Sequence, residues 1–153
     1  MKLSLRGEYA LRALIALGES YDGAVISMLA VSGQQEIPKR FLEQIFNDLR
    51  AGGFVESKRG IAGGYRLARP MEEITVAEVM RHMEGTLASA SNLSQKLPKL
   101  NPQAGGAQFA IRAVMRDVRD AIVKVLDQVT IADLLKRSRQ LQSEAVNTAD
   151  YTI

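Results

Sequence analysis

The chain has 153 residues, no cysteine and a formal net charge of +3, with 46% hydrophobic and 24% charged residues. Such a composition is typical of a globular protein of about one domain, and it excludes disulfides, thiolate metal sites and thiol chemistry. No apolar run is long enough to span a membrane, and the first residues lack the apolar core of a signal peptide, so we expect a cytoplasmic protein.

The excess positive charge lies in the first half of the chain. Residues 1–69 hold 10 Lys and Arg against 7 Asp and Glu, a net charge of +3, whereas residues 70–153 hold 10 of each. An imbalance of this size is as consistent with chance as with a nucleic-acid partner. Charge alone therefore does not distinguish a chance imbalance from a nucleic-acid partner, and the motifs in residues 1–69 are needed to do so.

Three helices are predicted before residue 52. Helical periodicity runs from Leu5 to about Glu19, and Ser27 is placed to cap a short second helix that ends near Gln35. Pro38 suits the first turn of a third helix, where its missing N–H is not needed. Two helices joined by a tight turn form a helix-turn-helix unit.

The third helix has one apolar and one polar face. The apolar stripe comprises Phe41, Leu42, Ile45, Phe46 and Leu49, and the polar face comprises Lys39, Arg40, Glu43, Gln44 and Asn47. Arg40 could pair with guanine, Gln44 with adenine and Glu43 with cytosine, whereas Lys39 suits a phosphate. The alternative for each residue is the ordinary solvated face of an amphipathic helix.

A hairpin with a basic tip follows the third helix. The pattern predicts strands at residues 54–58 and 65–69, joined by the tip sequence Arg-Gly-Ile-Ala-Gly-Gly. The candidate contacts with DNA at the tip are Lys58, Arg59, Gly60, Gly63 and Gly64. An arginine at this position can enter a narrow minor groove, and the glycines let the backbone approach phosphates. A solvated hairpin tip is the alternative.

The second half of the chain is predicted to be helical around a long loop. Thr75 and Glu78 form a capping-box pattern that opens a helix ending at Glu84. Residues 86–106 break every periodicity and are read as a flexible, sensor-type loop. Thr130 and Asp133 cap a final short helix, and residues 144–153 are predicted to be a frayed tail.

Between that loop and the final helix, a helix over about 107–128 carries a broad apolar stripe. Such a stripe is too large to bury against one small domain, so we interpret it as a dimerisation helix. The predicted interface residues are Val114, Val118, Ile122 and Val125. The alternative is an internal core helix of a monomer.

No arrangement of residues predicts an enzyme. A nucleophile with a base and an orienting group is missing, and the glycine-rich tip lacks the Lys-Ser/Thr of a phosphate loop. His82 is the single histidine, so an imidazole metal cluster cannot be assembled within one chain, and a packing role is expected for it.

Several motifs together resemble the Rrf-two family of bacterial winged helix-turn-helix transcription regulators. They are Met-Lys-Leu at 1–3 with Gly7, Tyr9, Ala10 and Ala13, Phe-Leu-Glu-Gln-Ile at 41–45, Leu-Arg-Ala-Gly-Gly-Phe-Val at 49–55, Arg-Gly at 59–60 with Gly-Gly-Tyr-Arg-Leu-Ala-Arg-Pro at 63–70, and Ile-Thr-Val-Ala-Glu at 74–78 with Glu-Gly at 84–85. The resemblance covers residues 1–85 and extends to the layout, but not closely to the residues, of the second half.

Two departures from the family matter. The turn between the second and third helices usually carries glycine in this family, whereas this chain has Glu36, which requires either a positive φ or a different turn. Several members bind an iron–sulfur cluster through three cysteines in the segment that corresponds to residues 86–106. That segment here offers no cysteine, histidine or acidic residue, so we expect no cluster and no other cofactor.

The fold class we predict is mainly α with a small β-hairpin wing. Residues 1–85 would form the winged helix-turn-helix DNA-binding domain and residues 107–143 the dimerisation helix with the final short helix. The resemblance implies a homodimeric regulator, expected to be a repressor, that binds double-stranded DNA at a pseudo-palindromic operator. Lys2 and Ser27 are further candidates for contacts with the phosphate backbone. The alternative function is a protein- or ligand-binding module whose DNA binding depends on an unknown partner protein or effector.

Overall fold

The computed structural model describes residues 3–20, 23–85 and 106–150, with side chains in the last helix up to residue 147. These residues form six α-helices and one two-stranded antiparallel sheet. None of the described helices combines the length and apolar character needed to cross a bilayer.

The element bounds follow the predicted order closely. They are α1 (Leu5–Gly18), α2 (Met28–Gln35), α3 (Lys39–Ala51), β1 (Val55–Lys58), β2 (Gly64–Leu67), α4 (Val76–Glu84), α5 (Gly106–Gln128) and α6 (Ile131–Asp150). A single 3₁₀ turn, Met71–Glu73, lies between β2 and α4. The mainly helical fold with a β-hairpin is as predicted.

One core lies between α1, α2, α3, α4 and the start of α6. Its largest fully buried side chains are Phe46, Leu14, Ile37, Leu42, Leu49, Ile74, Ile131, Val31 and Val79. The apolar stripe predicted for α3 enters this core, except that Phe41 stays 40% exposed at its edge. Burial of one face fixes how α3 is rotated, and its polar face is therefore turned to solvent.

Three predicted helix caps are present in the structure. The Ser27 hydroxyl accepts the Ala30 N–H at 3.1 Å and begins α2. Thr75 and Glu78 form the predicted capping box of α4: the Thr75 hydroxyl accepts the Glu78 N–H at 3.2 Å, and the Glu78 carboxylate accepts the Thr75 N–H at 3.0 Å. Thr130 and Asp133 make the same reciprocal pair at the start of α6.

The two capping-box helices begin side by side. The Val76 N–H donates to the Val129 carbonyl at 2.8 Å, and the Ile131 N–H donates to the Ile74 carbonyl at 2.9 Å. Ile131 and Leu135 are then buried, at 0% and 3% exposure. The start of α6 is thus part of the same core as the first 85 residues.

The capping carboxylate of α4 makes stability depend on pH. The backbone hydrogen bond from Thr75 lowers the pKa of Glu78 below its ordinary value of 4.5, Arg69 adds to that effect, and partial burial opposes it. Because the folded-state pKa is depressed, this contribution is present above pH 4.5 and is lost as pH falls through the folded-state pKa.

We therefore expect Glu78→Gln to lower the free energy of unfolding by about 0.5 kcal/mol at neutral pH, a small value because the pair is partly solvent-screened. The difference from wild type, measured by urea unfolding from pH 7 to pH 3, should shrink below pH 4.5. Glu72→Gln, at an exposed acid in the preceding 3₁₀ turn, is the control and should follow the wild-type pH curve. A difference that stays constant down to pH 3 would contradict this prediction.

Glu36 lies in the turn between α2 and α3, where the family usually has glycine. It terminates α2 in the left-handed conformation, with φ 52° and ψ 40°, and it is the only non-glycine residue with positive φ in the described chain. The turn therefore keeps the geometry that suits glycine, and the glutamate carries the strain.

Glu36→Gly is expected to stabilise the protein by about 1 kcal/mol, because relief of the left-handed strain exceeds the extra entropy of an unfolded glycine. At this chain length that gain corresponds to a rise in Tm of about 2–4 °C, measurable by calorimetry. Glu36→Ala keeps the strain and removes the side chain, so it should not share the gain. If Tm rises equally in both variants, the stabilisation comes from removal of the carboxylate and not from relief of backbone strain.

The structure corrects the predicted boundaries of four elements. Helix α3 begins at Lys39, with Pro38 as the residue before it, and the strands are shorter than predicted at 55–58 and 64–67. Gly106 already belongs to α5, and the rest of the predicted loop, residues 86–105, lies outside the described residues.

The prediction of a frayed tail was wrong up to residue 150. Helix α6 continues to Asp150, although its side chains from Leu141 to residue 147 are exposed. Apolar periodicity cannot reveal a helix without a buried face. Backbone propensity and local pairs such as Gln140 to Glu144, at 3.2 Å, continue it instead.

Candidate nucleic-acid interface

The polar face of α3 is exposed to solvent. Lys39, Arg40, Glu43, Gln44 and Asn47 are all exposed, as the sequence pattern predicts. The guanidinium of Arg40 lies 4.8 Å from the centre of the Phe41 ring, a cation–π contact that holds the charged end of this side chain beside the helix. A helix with one face locked in the core and long donors on the other can enter a DNA major groove.

Asp48 organises the C-terminal half of this helix. Its carboxylate forms an ion pair with Arg6 of α1 and accepts a hydrogen bond from the Gln44 amide nitrogen at 3.3 Å. Its carbonyl oxygen accepts from His82 Nε2 of α4 at 2.6 Å. Asp48 therefore ties the helix that carries Gln44 to α1 and α4, and it leaves the amide oxygen of Gln44 free to accept.

His82 has the packing role expected for it. Besides its contact with α3, its ring lies 5.5 Å from the Phe54 ring. A Cβ on Gly52 would lie 2.7 Å from His82 Nε2, so the glycine makes room for this contact at the end of α3.

The wing is attached rigidly to the helices. Strands β1 and β2 pair from Val55 with Leu67 to Lys58 with Gly64. Tyr65 then exchanges two backbone hydrogen bonds with Ile26, at 2.9 and 2.8 Å, and its ring stacks 4.1 Å from that of Phe46. Tyr65 is therefore a packing residue, and the wing begins directly beside the N-terminus of α2.

Two glycines of the wing are required by close backbone contacts. A Cβ on Gly64 would lie 2.1 Å from the Ile26 carbonyl oxygen, and one on Gly63 would lie 2.4 Å from that of Lys58. The Gly63 N–H closes the tip by donating to the Gly60 carbonyl at 3.0 Å. These glycines shape the wing, a structural role besides the DNA contact predicted for them.

The cations of the wing fall into two groups. Arg66 is paired with Glu56 across the hairpin at 2.8 Å. Arg50, near the end of α3, donates a hydrogen bond to the Ser57 hydroxyl on β1 at 3.4 Å. Lys58 and Arg59, in contrast, are exposed and make no ion pair with any residue that the structure describes. The unpaired positive charge is therefore concentrated at the tip.

Ser27 and Lys2 are the remaining residues that were predicted to contact DNA. Ser27 is exposed and its hydroxyl, although it caps α2, still has a hydrogen to donate. Lys2 lies outside the described residues. Asp48 was not among the predicted site residues, although its four-residue spacing from Gln44 could have revealed it.

Comparison with known proteins agrees with this geometry. Residues 3–137 match the Rrf2 (Rrf-two) family, described as an iron-dependent transcriptional regulator, and the chain belongs to that family. The HTH-type transcriptional regulator CymR of Bacillus subtilis is 31% identical over 134 residues, which cover 88% of this chain and 89% of the relative. The HTH-type transcriptional regulator IscR of Cereibacter sphaeroides is 46% identical over 89 residues, 57% of each chain.

Solved structures show the same fold. The structure of CymR, described as the global cysteine regulator of B. subtilis, superimposes with a TM-score of 0.74 at 28% identity, covering 90% of this chain and 98% of that one. T. potens IscR superimposes with a TM-score of 0.72 at 30% identity and 93% and 91% coverage. The protein is thus a DNA-binding transcription regulator with a winged helix-turn-helix, and it is not an enzyme.

The residues of this chain do not fit the iron centre that the family description implies. The sequence has no cysteine, so no thiolate can hold an iron–sulfur cluster. Residues 86–105 also contain no histidine, aspartate or glutamate. In the part of the chain that the structure describes, no three His, Asp or Glu side chains are grouped to hold a metal ion.

Proposed function

We propose that this regulator represses transcription as a homodimer bound to a pseudo-palindromic operator. The observation that carries this proposal is the exposed polar face of α3, locked by the core beside a rigid wing whose tip has two unpaired cations. Each subunit would place α3 in a major groove and the wing in the adjacent minor groove.

Base recognition is assigned to three side chains of α3. Arg40 would donate to guanine, Gln44 would contact adenine, and Glu43 would accept from the amino group of cytosine, each worth about 1–3 kcal/mol of discrimination. Lys39 would contact a phosphate, as would Ser27 and Lys2 at the edge of the site, and contacts of this kind set the register of the protein on the duplex.

Tip contacts would come from the wing. The side chain of Arg59 would enter the minor groove, Lys58 would neutralise a phosphate, and Gly60, Gly63 and Gly64 keep the backbone close to the sugar–phosphate chain. Because several phosphates would be contacted per dimer, the affinity should fall steeply with salt concentration.

Dimerisation is assigned to α5. No residue of this helix is buried in the subunit, although Val123 and Leu126 rest on the core and Arg81 of α4 pairs with Asp127 at 2.8 Å. Val114, Val118 and Val125 are 59%, 47% and 60% exposed, and Ile122 is half-buried beside them. An exposed apolar stripe of this length on an anchored helix is well suited to packing against the same helix of a second copy.

The test is to select genomic DNA fragments with purified protein and sequence them. We expect one enriched motif with two inverted half-sites about one helical turn, roughly 34–36 Å, apart. A promoter carrying that motif, fused to a reporter, should be less active when the protein is present, because a bound dimer occludes the polymerase. Since its target is the chromosome, we place the protein in the bacterial cytoplasm.

Two outcomes would overturn parts of the proposal. Enrichment of single half-sites would contradict dimeric recognition, and a rise in reporter activity would contradict repression. If no motif is enriched, the proposed function fails for the isolated protein. The alternative is then a protein- or ligand-binding module whose DNA binding depends on a partner protein or effector.

A further inference from the structure

The tip of the wing presents an isoleucine to solvent. Ile61 has a relative exposure of 111%, the highest among the large hydrophobic residues that the structure describes. It follows Gly60, whose carbonyl accepts the Gly63 N–H, so it occupies a corner of a closed four-residue turn. Turn corners usually carry Gly, Pro, Asn, Asp or Ser. No packing against the part of the chain that the structure describes accounts for isoleucine here, since its side chain is fully exposed.

The tip is slim except for this side chain. Its other residues between Arg59 and Gly64 are glycine or alanine, so Ile61 is the single bulky group on a narrow, closed turn. A minor groove is about 6 Å wide and 7.5 Å deep, which admits such a turn but not one lined with large side chains. A β-branched side chain is also stiff at χ1, so little rotamer entropy is lost when it is immobilised.

We propose that Ile61 is a further DNA-contacting residue, which packs against deoxyribose and base edges in the minor groove beside Arg59. This inference rests on the proposed function of the wing. Apolar side chains are used in this way by several proteins that bind the minor groove. The guanine amino group is the one hydrogen-bond donor in that groove and protrudes from its floor. An apolar contact there therefore favours A·T over G·C pairs.

Isolated exposed apolar residues are common on protein surfaces and need no function on that ground alone. Ile61 differs from Leu29, which is 73% exposed on α2, because it lies two residues from an unpaired arginine. It also lies on a turn closed by the hydrogen bond from the Gly63 N–H to the Gly60 carbonyl. That combination of charge, shape and rigidity matches a minor groove better than a protein partner, for which a larger apolar patch would be expected.

The experiment measures binding of wild type and Ile61→Ala to the selected operator and to two altered operators. In these, the A·T pairs under the wing are replaced by G·C or by inosine·cytosine, which lacks the guanine amino group. We expect Ile61→Ala to bind the natural operator about tenfold more weakly, with an unchanged salt dependence because no charge is lost. Wild type should tolerate inosine·cytosine but not G·C, and Ile61→Ala should discriminate less between them.

Val146→Ala, at an exposed valine on α6, is the matched control and should bind as wild type does. Equal affinity of Ile61→Ala and wild type for all three operators would overturn this inference. If wild type itself selects no operator, the proposed function fails. If wild type binds and Arg59→Ala weakens binding while Ile61→Ala does not, only the assignment of Ile61 fails. A uniform loss across the three operators would also contradict the minor-groove contact.

Discussion

Val118→Glu is expected to separate the subunits and to weaken operator binding by about 10²- to 10⁴-fold. The substitution places a carboxylate in the middle of the exposed apolar stripe of α5, and two-fold symmetry places two of them in one interface. A buried, unpaired charge costs about 3–5 kcal/mol, enough to dissociate a dimer of ordinary stability. A monomer then loses the effective concentration that a linked second half-site provides.

Sedimentation equilibrium would measure the dimer constant, and titration of a labelled operator would measure the affinity. Arg116→Glu is the matched control: it lies two residues from both Val114 and Val118, on the opposite side of the helix, and is exposed. It should remain dimeric. If Val118→Glu is as dimeric as wild type, the α5 stripe is not the interface and the assignment must be abandoned.

Arg59→Ala should weaken operator binding by about 10- to 100-fold, because each half-site loses one charge-assisted minor-groove contact. The slope of log affinity against log salt should also become shallower, by about 2 for a dimer that loses one cationic contact in each subunit. Arg59→Lys retains the charge but not the planar guanidinium, so it should keep the salt slope and recover part of the affinity.

Arg66→Ala separates this specific contact from a general loss of charge. Arg66 lies on the same hairpin and carries the same charge, but Glu56 already pairs with it at 2.8 Å. We expect its removal to change the affinity far less than that of Arg59. If the two alanine variants lose equal affinity, the wing acts only through net charge, and the minor-groove contact assigned to Arg59 is wrong.

The candidate site was largely predictable because its determinants are local. The apolar stripe of α3 decides which residues face the solvent, and Leu42, Ile45, Phe46 and Leu49 are indeed buried. The caps at Thr75 and Thr130 depend only on residues three positions away. The basic tip of the wing is likewise a contiguous motif, although which DNA atoms its side chains contact stays a prediction.

Contacts between segments that are distant in the sequence could not be predicted from local patterns. The partners of Asp48 come from α1 and α4, and the stacking of Tyr65 on Phe46 joins segments that no periodicity relates. The continuation of α6 past Leu141 has no buried face that a pattern could reveal. The same is true of Ile61, whose exposure depends on how the hairpin closes.

What the sequence determined by itself is the order of the elements, the caps and the polar face of α3, since these arise from interactions over three or four residues or from a repeating apolar spacing. Three features could be seen only in the folded chain: Glu36 adopts a left-handed conformation, Ile131 completes the core of the first 85 residues, and α5 packs through Leu126 while Val118 stays exposed. Each of these depends on which distant surfaces meet in the folded chain, and a local pattern does not encode that geometry.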